Sequence, residues 1–406
     1  MRLKSCKKVY DKDTQRAVPL EETLIRAEGK LPAAGITRIA DITQLDRLGI
    51  PVFSCIRPTA QEGAISVYNG KGATLLAAKV SAMMEGIERF SGEIGTRKCE
   101  IKTYAELSKE KNVIDLTDLI LPPNVRTDVP LPWVEGYDIV YEETIYIPAH
   151  AVFHPIPSEF PPLFRTNTNG LASGNTKEEA LFHALTEVIE RDAWSLVEVT
   201  RTAGSKITIS NLDIISDLIN KFQKAKIDIY LRDITSDVGI PTIAAAADDI
   251  FLRDPILLTI GMGTHTSTKI AVIRALTEVA QSRLTQIHGA REDTTTAGLR
   301  KRIGYERMKR LNKYWFEAQD AIDFTNLRTY DSDDFLDDIF FIAESLKKQG
   351  MERVITVDLT RPEIGIPVIR VVVPGLEVYA IDHDRMGQRC RNARDSHISR
   401  SESESR

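Results

Sequence analysis

The sequence predicts an α+β (mixed α/β) fold, on three observations. Strand-like runs rich in β-branched residues alternate with segments of helical apolar spacing. Hydrophobic residues make up 42% and charged residues 27% of the 406 positions, the balance of a globular protein with a large core. One unit, a strand followed by a Gly-containing loop and a helix, recurs three times. At roughly 150 residues per domain the length allows two or three domains.

In chain order, PLEETLIRAEGKL predicts a helix that places Leu20, Leu24 and Ile25 on one face. IPVFSCI and AISVY then read as strands, separated by the breaker RPTAQEG. Further strands are predicted at PWVEGYDIV, TIYIPAHAVF, IDIYLRDI, PTIAAAA, PILLTIGMG, RVITVDL and PVIRVVV. The last is also expected to offer a sheet edge for an extended peptide. Residues 291–349 are charged and helical, and are expected to form an inserted layer carrying Trp315 and Phe316. Residues 386–406, rich in Arg, Ser and Glu, are expected to be disordered. The expected division is therefore an N-terminal segment 1–50, a main domain 51–385 and the tail 386–406.

The net charge of −5 argues against a nucleic-acid backbone as main partner. The N-terminus lacks an apolar signal core and no run of 18 apolar residues occurs, so a cytoplasmic protein without membrane spans is expected. Cys6, Cys55, Cys99 and Cys390 are scattered singly, which argues for free thiols rather than disulfides or a zinc site.

The repeat is best seen from Glu85, Glu187 and Glu278. Eleven residues before them stand Thr74, Thr176 and Ser267, all predicted N-caps. Seven before are Ala78, Ala180 and Ala271; three before are Ala82, Ala184 and Ala275; three after are Glu88, Glu190 and Gln281. Positions i and i+3 share a helix face, so Glu85 with Glu88, and Glu187 with Glu190, each present two carboxylates in one direction. Single ExxE pairs are commonly Arg-paired surface features, with Arg89 and Arg191 as the available partners here. Convergence of three helices would instead gather five carboxylates, a cluster that needs cations. Oxygen-only ligands favour Mg²⁺, which commonly bridges to phosphates, so a nucleoside triphosphate is the natural guest. A helix rises only about 1.5 Å per residue, so a loop and the glutamates eleven residues beyond its cap cannot meet at one phosphate. Any shared site must combine different repeats. The Gly-containing loops at Gly70, Gly72, Gly170, Gly174, Gly261 and Gly263 could also approach phosphate, although no Walker A or Rossmann fingerprint is present. Arg274 and Arg283 are cationic neighbours of Glu278, and His265 is expected to serve in a cap or the core.

Ser81, Glu85, Glu88 and Arg89 spell SxxxExxER, and with this run the chain resembles the YcaO family. The resemblance extends over nearly the whole chain, through GITRIADITQLDRLGIPVFSCIRP, NGKGAT, TNTNGLASGNTKEEALFHALTEVIERDAW, GMGTH to EVAQSR, and RPEIGIPVIRVVVPGLE. It implies a YcaO-type fold and ATP-dependent activation of a peptide amide. By position, Glu85, Glu88, Glu187 and Glu190 would hold Mg²⁺. Ser81, Asn175, Glu179, Arg191, Glu278, Gln281 and Arg283 would line the nucleotide site, and Glu187, Glu190 and Arg191 would be catalytic. Arg16, Thr23 and Arg26 are similar to the family's N-terminal nucleotide-contacting segment. Azoline-forming members typically end in PxPxP, whereas this chain reads SRSESESR. Its likeness to archaeal stand-alone members implies thioamide formation with a sulfide donor and a TfuA-type partner. The implied substrate is a glycine of the methyl-coenzyme M reductase α subunit, and the implied assembly a homodimer. Azoline cyclodehydration and a non-catalytic nucleotide-binding role are the alternatives.

Overall fold

The computed structural model describes residues 1–210, 213–292, 297–318 and 320–404. A hairpin of Tyr10–Asp11 and Gln15–Arg16 precedes helix α1 (Leu20–Glu28) and strands β1 (Arg38–Asp41), β2 (Val52–Ile56) and β3 (Val67–Lys71). Helix α2 (Leu75–Gly92) leads to β4 (Glu100–Lys102), β5 (Leu131–Asp138), β6 (Glu143–Pro148) and β7 (Leu171–Ser173). Helix α3 (Lys177–Thr200), β8 (Ser205–Thr208), α4 (Asp213–Lys224), β9 (Asp228–Asp233), β10 (Thr242–Asp248) and β11 (Thr259–Thr264) come next. Then follow α5 (Thr268–His288), β12 (Ala321–Asp323), α6 (Phe335–Lys348), β13 (Ile355–Asp358), β14 (Val368–Val372) and α7 (Gln388–Glu404).

Three sheets result, with strand orders β1-β2-β3, β4-β5-β13-β14-β7 with β6 also on β5, and β11-β10-β9-β8-β12. Pairing within them is antiparallel except between β8 and β12. Each sheet carries one repeat helix: α2 lies on β3 and β2, α3 on β14 and β7, and α5 on β11 and β10. The repeat read from the sequence is thus one unit built three times, with residues 72–74, 174–176 and 265–267 joining strand to helix.

Its fixed offsets have physical causes. Thr74 Oγ1 accepts from Ala77 N and Thr176 Oγ1 from Glu179 N, both at 3.1 Å, which satisfies N–H groups the first helical turn leaves open. Ser267 makes no such side-chain bond; its N–H instead donates to His265 Nδ1 at 2.9 Å. The recurring alanines face the strand glycines. A Cβ on Gly70 would stand 1.9 Å from Ala82 N, and one on Gly263 would stand 2.1 Å from the Ala271 carbonyl oxygen. These two glycines therefore let the helix backbone lie flat on its strand, a packing role in place of the phosphate approach considered from the sequence.

The core is shared among the units. Phe182, Leu185 and Ile189 of α3 pack with Ile339 and Ile342 of α6 and Val371 of β14. Val272, Leu276 and Val279 of α5 pack with Ile243 of β10 and Phe222 of α4. Each large apolar side chain buried this way contributes about 1.5–3 kcal/mol.

Five expectations are corrected here. The tail is not disordered: α7 runs over Gln388–Glu404, and residues 405–406 lie outside the described residues. Polar anchors hold its start, with Arg389 paired to Asp192 at 2.8 Å and Cys390 N donating to Glu377 at 2.8 Å. Residues 291–349 are not an added layer, because β12 extends a sheet and Phe335, Ile339 and Ile342 of α6 are fully buried; residues 293–296 and 319 lie outside the described residues. The boundary at residue 50 divides no domains, since β1 pairs with β2. Strand β14 is paired on both sides, by β13 and β7, and offers no free edge. Ile25 is 74% exposed, whereas Leu20, Thr23 and Ala27 form the buried face of α1. The four cysteines are free thiols. Among the described residues no helix is long and apolar enough to cross a membrane.

Candidate active site

Helices α2, α3 and α5 bring their polar faces to one cavity of about 540 Å³. Glu85, Glu88, Glu187, Glu190 and Glu278 all line it, together with Ser81, Arg191 and Gln281. The five carboxylates meet five cations, Lys71, Arg89, Arg191, Arg274 and Arg291. Basic side chains, among them the expected Arg89, Arg191 and Arg274, thus already supply part of the neutralisation.

The three repeats are tied to one another in a closed ring. Glu88 of α2 accepts from the Ser173 N–H at the end of β7, at 3.0 Å. Glu190 of α3 accepts from the Thr264 N–H at the end of β11, at 3.1 Å. Gln281 of α5 closes the circuit by donating its amide Nε2 to the Asn69 carbonyl of β3. The one break in the glutamate repeat follows from this. At Asn69 the partner is an acceptor, so a donor is required and a carboxylate would fail.

Other members of the cluster are also held. Lys71 pairs with Glu278, whose second oxygen accepts from Met262 N at 3.2 Å. Arg89 pairs with Glu85 at 3.1 Å, and Arg191 lies 3.8 Å from Glu190. Ser81 Oγ accepts from Lys71 N at 3.3 Å. Among the described residues Glu187 alone of the five carboxylates has neither a hydrogen bond nor an ion pair, and it lines both this cavity and an adjoining one of about 140 Å³. Arg16, His183 and Arg274 line the smaller space with it.

Burial pushes the Glu88 carboxyl up to about 8, with Arg89 and the Ser173 N–H opposing and Glu85 and Glu187 adding to the rise. Glu190 is raised by burial and by Glu278. For Glu278 burial acts upward, but Lys71 and Arg191 outweigh it and its net shift is downward. Such a site gains from an added cation, which favours the ionised form of both raised groups.

The remaining predicted residues fall elsewhere. Glu179 is fully buried and accepts from Arg16 at 3.2 Å, from Ala17 N at 3.0 Å and from Asn175 at 3.0 Å. That knot ties the N-terminal hairpin to α3; only Arg16 of it reaches a cavity wall. Thr23 is buried and donates to the Pro19 carbonyl, while exposed Arg26 pairs with Glu22, and neither lines these cavities. Arg283 is a correction: it is fully buried and pairs with Asp46 at 2.7 Å and Asp249 at 3.0 Å, on the far side of α5 from the carboxylates. Two positions separate it from Gln281, about 200° around a helix. The structure adds Thr168, His183 and Arg291 to the walls. His183 was legible, lying one turn before Glu187, whereas Thr168 and Arg291 arrive from loops with no periodic signal.

The donor set suits Mg²⁺ with a polyphosphate. Among the described residues no three carboxylate, histidine or cysteine groups are arranged to hold one metal ion. Mg²⁺ typically takes only one or two carboxylates and completes its shell with phosphate oxygens and water, so partly paired glutamates beside an unpartnered one fit it. The cations around them fit the phosphates.

Comparison with known proteins agrees. Residues 69–377 match the YcaO family, described as an ATP- and Mg²⁺-binding cyclodehydratase. A protein of Methanothermobacter thermautotrophicus is 50% identical over 93% of this chain and 99% of its own length. A Rhizobium leguminosarum protein of the tfuA 3′ region is 32% identical over 89% of each chain. The structure of YcaO from Methanopyrus kandleri bound with AMPPCP and Mg²⁺ superposes with a TM-score of 0.81 at 30% identity, covering 94% of this chain and 98% of that one. A chain built from these three repeats, with this carboxylate cavity and these relatives, belongs to the YcaO family of ATP- and Mg²⁺-dependent enzymes that act on peptide amides.

Proposed function

We propose that this protein uses ATP to activate a backbone amide of a protein substrate and exchanges the amide oxygen for sulfur. The observation that carries the reading is the single cavity walled by carboxylates and cations of all three repeats, with Glu187 unpartnered inside it. Glu85, Glu88, Glu187 and Glu190 would hold Mg²⁺, which when bound draws charge from the phosphates during phosphoryl transfer. Lys71, Arg191 and Arg274 face the same space and would offset charge on the transferring group. Arg16, across the smaller adjoining cavity, would meet the nucleotide from the N-terminal side. Asn175 and Glu179 would act through Arg16 by fixing its position.

In the balanced reaction the amide oxygen takes the γ-phosphoryl group and ADP leaves. Hydrosulfide then adds to the amide carbon, the carbon–oxygen bond breaks, phosphate departs with the former amide oxygen, and the sulfur proton is lost. For the sulfur branch the proposed substrate is a glycine of the methyl-coenzyme M reductase α subunit, with a TfuA-type partner for sulfur delivery; the relative from a tfuA region supports that partner.

Mass spectrometry of a glycine-containing substrate peptide tests this, after incubation with the protein, ATP, Mg²⁺, sulfide and the partner. The expected product carries one sulfur in place of one oxygen and requires both ATP and sulfide. Loss of one water from a Cys, Ser or Thr peptide, independent of sulfide, would instead establish the azoline reaction.

A further inference from the structure

Beside the carboxylate cavity lies a chamber of about 640 Å³ that shares Arg89, Thr168 and Arg291 with it. Behind that chamber, across Asn167, is a small recess of about 60 Å³. Arg370, Arg385 and His150 line the recess and are 5%, 6% and 1% exposed.

Neither guanidinium forms an ion pair among the described residues. Arg370 donates to the carbonyls of Ala151 at 2.9 Å and Asn167 at 3.1 Å. Arg385 donates to the carbonyls of Ile120 at 2.8 Å and Leu119 at 2.6 Å, and stacks over Phe164 at 4.0 Å. Buried cations without a counter-charge are strongly disfavoured, and two on one small recess more so. Burial lowers both to about 10, which leaves both charged at neutral pH. Glu187 and Glu88 act on Arg370, and Asp382 on Arg385, only through space. Asp118 stands exposed at the rim.

His150 is the second observation. Both ring nitrogens lack a hydrogen-bond partner; the Pro161 carbonyl is near the ring without normal hydrogen-bond geometry. Burial depresses this histidine to about 4, so the neutral ring has one N–H to give. The other walls are mainly Val, Leu, Pro and Phe side chains.

We infer that the recess formed by His150, Arg370 and Arg385 is a binding site for a small, soft, monovalent anion, and that in turnover its occupant is hydrosulfide. Apolar walls disfavour a strongly hydrated dianion such as phosphate, while two guanidiniums and one N–H suit a single weakly hydrated charge. The recess shares the wall residue Asn167 with the chamber beside the carboxylates, so it would hold the nucleophile one residue away from that chamber. The hydrosulfide assignment rests on the thioamide reading above; the anion site does not.

Crystals of the full chain soaked in sodium bromide test the site without any substitution. An anomalous bromide peak between His150 and the two arginines is expected; water alone at that position overturns the site. In the peptide assay, Arg385→Met and His150→Phe should each raise the KM for sulfide on the order of tenfold, the loss of one hydrogen bond to a charged group, with the KM for ATP unchanged. Bromide should compete with sulfide and not with ATP. An unchanged sulfide KM in both folded variants overturns the hydrosulfide role even if thioamide is formed. Bound bromide without thioamide formation overturns the sulfur chemistry and leaves the anion site standing.

Discussion

Replacing Gln281 by Glu reverses the one hydrogen bond that closes the ring of repeats. In the native protein its Nε2 donates to the Asn69 carbonyl, across 212 residues of sequence. A glutamate there sets a carboxylate oxygen against a carbonyl oxygen and adds a sixth acid to a cavity already lined by five, one turn from Glu278. Losing the bond costs about 1–3 kcal/mol, and the like charge adds to it. Gln281→Met removes the same bond without the charge, so the difference between the two variants isolates the electrostatic part. Thermal and urea unfolding of both variants, with and without MgATP, give the comparison. The Glu variant should be the less stable in the absence of Mg²⁺, and Mg²⁺ should narrow the gap because the added acid can share the cation. Equal stability of Gln281→Glu and wild type would refute the donor–acceptor account of why the third repeat carries Gln.

Three further predictions follow from the same geometry. Glu187→Gln should change stability by no more than about 0.5 kcal/mol, since it breaks no bond, yet abolish the thermal shift with MgATP and ATP turnover; a retained shift would remove Glu187 from the metal site. Arg283→Met should destabilise by about 3–5 kcal/mol, because it strips a buried partner from Asp46 and Asp249, while leaving the KM for ATP unchanged in whatever fraction folds. The folded Glu88 carboxyl, held up to about 8, keeps its proton where the unfolded one, near about 4.3, has lost it. The native state therefore binds more protons between those values, so stability of the ligand-free protein should fall as pH rises through that window, and Glu88→Gln should flatten the slope in pH-dependent urea titrations.

Much of the site was written at fixed offsets. The cap, the two alanines and the polar pair recur because each helix must start at its strand, lie flat on a glycine and reach the next unit's strand end. That demand repeats with the unit, so a single sequence displays it. Residues that answer to one location only were hidden. Arg283 shares the charge and neighbourhood of a phosphate-binding residue, and only its angle around α5 and the distant Asp46 reveal a buried ion pair. Glu179 looks like one more acid near the repeat, but its partners Arg16 and Ala17 come from the N-terminal hairpin. Hydrophobic content is blind to the order of α7, because Arg389 and Cys390 dock through the polar partners Asp192 and Glu377. The paired state of β14 could not be seen either, since β-branched runs suit central and edge strands alike.

The closed ring also bears on synthesis. The first repeat leaves the ribosome long before the third, and Gln281 has to emerge before Asn69 receives its donor and Lys71 its Glu278. An incomplete chain therefore exposes four of the five acids without Arg274, Arg291 and the third wall that would enclose a nucleotide. Competence to consume ATP arrives late and all at once, so fragments stalled or cleaved within α5 would be inert rather than wasteful.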